Sequence, residues 1–475
     1  MTKKQQLVPS DGMLTRHRSS YEVTDDIVVE ILSRLPVKSL KRFRCVCKSW
    51  CDLISDSFFV MKHANHATKA TSSLKILVSI EPFQSIDYEA LLKHEDEDGH
   101  VASSQPKLDL SKCCPDMLRS CHLYIVGSCN GLICLHGVDC YWGYSDILLW
   151  NPCTGDTKVL PEHTLFRAHY GKYYRHPMFY GFGYDSSTDD YKVILGDSYV
   201  REGDDDDGIE YCHTKVALFT LKTGSWRNYY EERRVNHNKK KSFIRLVGQG
   251  CLSNGALHWI ELDDSRSRII SFDLAREKFQ EIVSLSSLVD KEFLDRMPSH
   301  ETFVGIGSTI ESSLLVYFYV PNHTSDTTLT IWVMNEYGVK ASWTKLVHIS
   351  LKINLSRPGL FGIHDSLFPV RILENVEVLM SCNEHELVLY NPKEKTYKTV
   401  LVANLSCEGV MYAETLVSPV IDGGVTSNQR GGEAEASKTT PIDCFETSCL
   451  NINKPILGIT KKPWKLRMEP RGPTN

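Results

Sequence analysis

LYNPKEKTYKTV, residues 389–400, reads as an apolar strand, a polar turn and a second strand, and the same form returns along the chain. LWNPCTGDTKVL (149–160), LFTLKTGSWRNY (218–229) and SFDLAREKFQEI (271–282) share it, and IWVMNEYGVKASWTKL (331–346) is a longer version carrying Trp332 and Trp343. Phe219 and Trp226, Phe272 and Phe279, and Tyr390 and Tyr397 are each seven residues apart. An odd separation sets two residues opposite each other across a hairpin with an even loop, which predicts a cross-strand aromatic contact in each copy. Upstream, SCNGLICLHG (128–137) and LSNGALHWIEL (252–262) place Asn-Gly before alternating apolar residues, a strong hairpin signal. The anchors Trp150, Phe219, Phe272, Trp332 and Tyr390 recur at spacings of 53 to 69 residues. One four-stranded sheet plus loops per repeat is the size of a propeller blade. Five modules are visible, and LKILVSI (74–80) can pair with EGVMYAETLV (408–417) to close a sixth. A β-sandwich also supplies many short strands, but it does not explain a recurring module with a fixed aromatic spacing. The predicted fold is α+β and multidomain: a small helical domain, then a β-propeller of five to six blades.

Around this region the chain divides by composition. Residues 1–20 are polar and read as disordered, 21–63 as helical, 74–417 as β, and 418–475 as a flexible, Gly/Ser/Thr-rich tail. A net charge of −5 gives no global field favouring nucleic acid. No apolar run approaches the ~20 residues of a membrane helix, and the N-terminus lacks the apolar core of a secretory signal. The expected location is therefore cytoplasmic, nuclear or both. The 16 cysteines are scattered without a CxxC pair, which fits reduced thiols used as small apolar residues better than a zinc site.

The helical segment carries local signals of its own. Thr24 can cap a helix whose first turn holds Asp25 and Asp26, suited to the macrodipole. Ile27, Val28, Ile31, Leu32 and Leu35 then share one face, and Pro36 ends the helix. Leu40, Phe43, Cys47, Trp50 and Ile54 step by three and four, the stripe of a second helix, with Lys38, Lys41, Arg42, Arg44 and Lys48 on its other faces. A hairpin this small cannot bury two stripes alone. It needs a partner, either the β domain behind it or another chain.

Chemistry is harder to find. The run REGDDDDG (201–208) lacks the spacing and glycine of a calcium loop and reads as a solvated loop. EHTLFRAHYGKYYRH (162–176) gathers His163, His169 and His176 at steps that fit no helix face, so it reads as a recognition loop rather than a metal site. No GxSxG elbow, phosphate-binding glycine loop or HExxH occurs, so no cofactor or metal is expected.

With those residues in hand, TDDIVVEILSRLPVKSLKRFRCVCKSWCDLISDSFFV (24–60) closely resembles an F-box, through Ile31–Leu40, Arg42-Phe43, Val46-Cys47-Lys48 and Trp50. The β region resembles the F-box-associated domain of plant S-locus F-box-like and F-box/kelch proteins, through GSCNGLICL, LWNPCTGDTKVLP, YGFGYDSSTDDYKV, LKTGSWR, NGALHW and IISFDLAREKFQEI. The resemblance implies a non-catalytic substrate receptor of a ubiquitin ligase, docked on a Skp-type adaptor and through it on cullin and a RING protein. It implies adaptor contacts at Val23, Thr24, Ile27, Val28, Ile31, Leu32, Leu35, Pro36, Leu40, Val46, Cys47 and Trp50. Val23-Thr24 stands where F-boxes usually carry Leu-Pro, a departure expected to weaken that end of the contact. The β domain would hold a protein target, with Arg167, His169, Tyr173, Tyr174, Arg175, Tyr199 and Arg201 as the candidate contacts. Neither nucleic acid nor membrane is an expected partner. The competing readings are a propeller-based enzyme and a non-ligase protein- or carbohydrate-binding scaffold.

Overall fold

The computed structural model describes residues 25–78, 83–92, 107–108, 121–139, 145–163, 179–202, 210–235, 245–246, 248–262, 268–285, 288, 303–309, 312–320, 327–351, 367–373, 377–382, 386–402 and 409–420. Four helices come first: α1 Asp25–Leu32, α2 Val37–Phe43, α3 Lys48–Ser55 and α4 Ser57–Ala67. The stripe expected of one long second helix is therefore split. Arg44–Val46 turn, and Cys47 is extended at φ −157° and ψ 165°. Phe43 and Trp50 meet edge to face across this break with centroids 5.4 Å apart, so the three-four spacing spans two short packed helices. Asp56 starts α4 by accepting the backbone N–H groups of Phe58 and Phe59 on Oδ1.

Six sheets follow, antiparallel except for one short strand of blade 3. Blade 1 joins Gly409–Ala413 to Leu74–Val78, Phe83–Asp87 and Lys107–Leu108. Blade 2 is Cys121–Cys129, Leu132–Asp139, Ser145–Trp150 and Thr157–Val159. Blade 3 is Phe179–Asp185, Asp190–Glu202, Glu210–Thr220 and Ser225–Val235, with Gly248–Gln249 parallel to its first strand. Blade 4 is Cys251–Ser253, Ala256–Leu262, Arg268–Asp273 and Lys278–Ser284. Phe303–Ser308, Leu314–Val320, Thr327–Met334 and Trp343–Leu351 form blade 5. Leu367–Ile372, Val378–Cys382, Glu386–Asn391 and Thr396–Val402 form blade 6. First strands of neighbouring blades touch all the way round, which closes the ring.

The closure is the one expected: Leu74 pairs with Ala413 and Val78 with Gly409, so strands from the two ends of the propeller share a sheet. All three aromatic pairs are in register, and Phe219 with Trp226 and Phe272 with Phe279 make the expected ring contact, with centroids 5.2 and 4.9 Å apart, whereas Tyr397, opposite Tyr390, stands exposed. Blade 5 differs because its turn is longer. Met334 faces Trp343, while Trp332 faces Lys345, whose Nζ lies 5.4 Å from the indole centroid. Both Asn-Gly pairs take the left-handed backbone their hairpins require, with Asn130 and Gly131 at φ 50° and 84° and Asn254 and Gly255 at φ 47° and 71°.

The turns between third and fourth strands repeat one device. Asn151, Asp273 and Asn391 each accept two backbone N–H groups on Oδ1 from residues two and three further on. Gly155, Glu277 and Lys395 then take positive φ and close the loop onto the first residue's carbonyl. Between blades lie six apolar layers, such as Phe179, Trp259 and Phe272 between blades 3 and 4. Fully burying side chains of this size contributes about 1.5–3 kcal/mol each, so the interleaved layers hold the ring.

A docking surface on the helical domain

The helices bury one face against each other and against the propeller. Leu32, Val37, Leu40, Ile54 and Phe59 form a core that also takes in Leu416, just beyond the last strand of blade 1. Lys41 Nζ donates to the carbonyls of Cys153 and Thr154, in the blade 2 turn, at 3.3 Å. Asn151 Nδ2 donates to the carbonyls of Thr415 and Val417, at 3.0 and 2.7 Å, and Thr415 Oγ1 donates to Asn130 O. Gly131 belongs to the same clamp, since a Cβ there would lie 2.2 Å from Thr415 Oγ1. The segment after the last strand thus ties the helices to blades 1 and 2.

Within the helices, Glu30 accepts Lys62 Nζ at 2.8 Å and a fork from Arg34. The hydrogen bonds from Lys62 and Arg34 lower its carboxyl to about 2, an ionised staple between α1 and α4. His63 contacts Leu35 O through Nε2 at 3.0 Å, and burial lowers its pKa.

This packing sorts the expected adaptor contacts into two groups. Leu40 is 0% exposed and Leu32 is buried, so both brace the domain from inside, while Val28, Leu35 and Trp50 are half-buried. Ile27, Ile31 and Val46 stand out at 51%, 56% and 63% exposed, and Pro36 and Cys47 are exposed as well. Ile27 and Ile31 lie one turn apart on the outward side of α1. Val23 and Thr24 lie outside the described residues. Phe58, 73% exposed at the start of α4, carries the same kind of surface. Its signal in the sequence was a second aromatic beside Phe59, of which a helix can turn only one inward.

The target-side residues are placed only in part. Tyr199 and Arg201 lie on the long second strand of blade 3, opposite His213 and Tyr211. Arg167, His169, Tyr173, Tyr174 and Arg175 fall outside the described residues. His163, which the sequence grouped with that loop, is instead buried and packs edge to face on Trp226 at 5.4 Å. Trp226 Nε1 also donates to Pro161 O, which pins the start of the segment to blade 3.

Charged groups in the propeller hold blades together. Lys192 is buried between Asp185, Glu277 and Leu274 O, tying blade 3 to blade 4, and Arg227 also reaches Glu277. Burial alone would raise the Asp185 carboxyl, but hydrogen bonds from Ser187, Lys192 and Thr188 outweigh it and hold it well below the usual range. Among the described residues, no three His, Cys, Asp or Glu side chains are gathered as a metal site, and no helix is long and apolar enough to cross a membrane.

Comparison with known proteins agrees with this geometry. Residues 85–418 match the F-box associated beta propeller domain, and residues 23–61 match the F-box domain. This chain belongs to the F-box-associated propeller family. An F-box/kelch-repeat protein of Arabidopsis thaliana is 29% identical over 409 residues, covering 84% of this chain and 97% of the relative. F-box protein CPR1 of the same plant is 26% identical over 407 residues, with 84% of this chain and 88% of the relative covered. The F-box match of this chain thus covers α1, α2, α3 and the first turn of α4, with the blade 2 turn and Leu416 packed beneath these helices.

Proposed function

We propose that the chain is a substrate receptor of a Skp–cullin–F-box ubiquitin ligase, its F-box docking the adaptor and its propeller holding a protein target. The observation that carries this reading is the exposure of Ile27 and Ile31 on α1 and of Val46 in the turn after α2, in a helical domain whose other apolar residues pack against each other and the propeller. Large aliphatic side chains left exposed on a packed domain mark a binding surface. The receptor contributes proximity, holding the target where a charged ubiquitin-conjugating enzyme can reach it, and makes no bond itself.

The topology favours one face for the target. Strands alternate in direction, so turns between first and second and between third and fourth strands lie at one end of the ring. The F-box sits at this end, against the blade 2 turn and the start of Leu74–Val78. Blades 2 to 6 close there with short turns such as 130–131, 254–255 and 392–395. The longer connections, 160–178, 285–302 and 352–366, leave from the opposite end, as does the hairpin extension bearing Tyr199 and Arg201. Variable loops on a rigid scaffold are the usual place for recognition. Target contacts are therefore assigned to that far face, where the strand positions of Tyr199 and Arg201 lie; Arg167, His169, Tyr173, Tyr174 and Arg175 are candidates from the sequence alone.

Co-purification of the full chain with a plant Skp-type adaptor tests the docking. Stoichiometric binding that is lost in Ile31→Asp/Val46→Asp supports it. Absence of binding by the intact chain refutes it and favours the scaffold reading.

A further inference from the structure

We propose that the F-box surface around Val46 fits a protein partner whose apolar cleft is rimmed by carboxylates, and that this charge match sets the rate of docking. The inference rests on the docking reading above and adds the chemistry of the partner. Between Val37 and Cys51 the chain carries Lys38, Lys41, Arg42, Arg44 and Lys48 and no acidic residue, although its net charge is −5. Lys41 is spent on the carbonyls of Cys153 and Thr154. The other four are exposed, and among the described residues none of them makes an ion pair.

Their placement is specific. Lys38 and Arg42 are one turn apart on α2, and Arg44 and Lys48 bracket Val46 in the chain. Neighbouring like charges one turn apart repel, and among the described residues no carboxylate relieves them. Elsewhere in the same helices the opposite holds: Arg34 and Lys62 both converge on Glu30. An exposed apolar residue flanked in the chain by cations, on a segment without acidic residues, is complementary to a cleft with an acidic rim. Rim charges of this kind act mainly on the association rate. A duplex nucleic acid would offer phosphates and polar base edges but no apolar cleft for Val46, so the protein partner is the one the surface favours.

The test is stopped-flow association of the full chain with a purified Skp-type adaptor, in NaCl from about 0.05 M to about 0.5 M. The association rate should fall about tenfold or more across that range, while the dissociation rate stays within about threefold. Lys38→Glu/Arg42→Glu/Arg44→Glu/Lys48→Glu should slow association about tenfold at low salt and abolish the salt dependence. Arg276→Glu/Lys278→Glu, at exposed positions in a blade 4 turn and the strand after it, should leave the rate unchanged. Should the fourfold reversal misfold, Arg44→Gln/Lys48→Gln and the salt series on the native chain still decide. Intact binding with a rate indifferent to salt and to these substitutions overturns the charge match alone. No binding at any salt overturns the docking reading as well. Binding of a short DNA duplex that these substitutions remove also overturns the proposal.

Discussion

Leu416, three residues beyond the last strand of the propeller, packs in the same apolar cluster as Leu40 at the centre of the F-box. Residues almost at opposite ends of the described chain therefore share one core. Leu416→Ala should lower the stability of the helices by about 2–4 kcal/mol while leaving blades 3 to 5 intact. Hydrogen exchange resolved by peptide checks this: faster exchange in 25–67 with unchanged protection in 179–351 is expected.

Inside and outside positions of the F-box should separate cleanly. Leu40→Ala removes a fully buried side chain and should destabilise the domain by about 2–5 kcal/mol. Ile31→Asp changes an exposed position, so its melting temperature should stay near that of the native chain while adaptor affinity drops at least about tenfold. Paired thermal melts and binding titrations distinguish the two. A large loss of stability in Ile31→Asp contradicts the placement of its side chain.

Acid should open the junction of blades 3 and 4 first. Asp185 and Glu277 are both held below their unfolded values by Lys192 and their other donors. A carboxyl depressed in the folded state gives stability that is fully present above its unfolded pKa of about 4 and is lost as pH falls towards the folded value. Melting temperature should thus decline below about pH 4, and Asp185→Asn should flatten that decline. Lys192→Met at pH 7 leaves the two carboxylates facing each other and should cost about 3–5 kcal/mol.

Thiol reactivity should follow position. The Cys47 thiol is lowered by hydrogen bonds from the Trp50 N–H and from Ser49, and it lies exposed beside Val46. Burial pushes Cys129 up to about 12 and Cys134 well above the ordinary thiol range. Among the described cysteines, iodoacetamide at neutral pH should label Cys47 first and leave Cys129 and Cys134 untouched until the chain unfolds. Peptide mass spectrometry over a time course gives the order, and the Cys47 adduct should block adaptor binding.

The propeller was legible because its signal is local and repeated. Phe219 with Trp226 and Phe272 with Phe279 needed only a count of residues to be set opposite each other, and Asn130-Gly131 announced its own turn. Helical spacing was less faithful. Leu40, Phe43, Cys47, Trp50 and Ile54 fit one continuous helix, and only the packing of Phe43 on Trp50 across an extended Cys47 shows two. Which apolar residues face outward also escaped the sequence. Leu40 and Ile31 look alike in a hydrophobic pattern, and the difference comes from Leu416, Cys153 and Phe59 filling the space around Leu40. Lys192 was hidden for the same reason, because its carboxylate Glu277 sits 85 residues away on another blade.

The ring closes with the strand Gly409–Ala413, and the F-box core is completed by Leu416. On the ribosome the helices emerge first, yet the residue that fills their core emerges hundreds of codons later. A receptor whose synthesis stops early, or whose message is truncated before that codon, lacks both the sealing strand and the finished base of its docking helices. The base of the helical domain is thereby finished only when nearly the whole propeller has been translated.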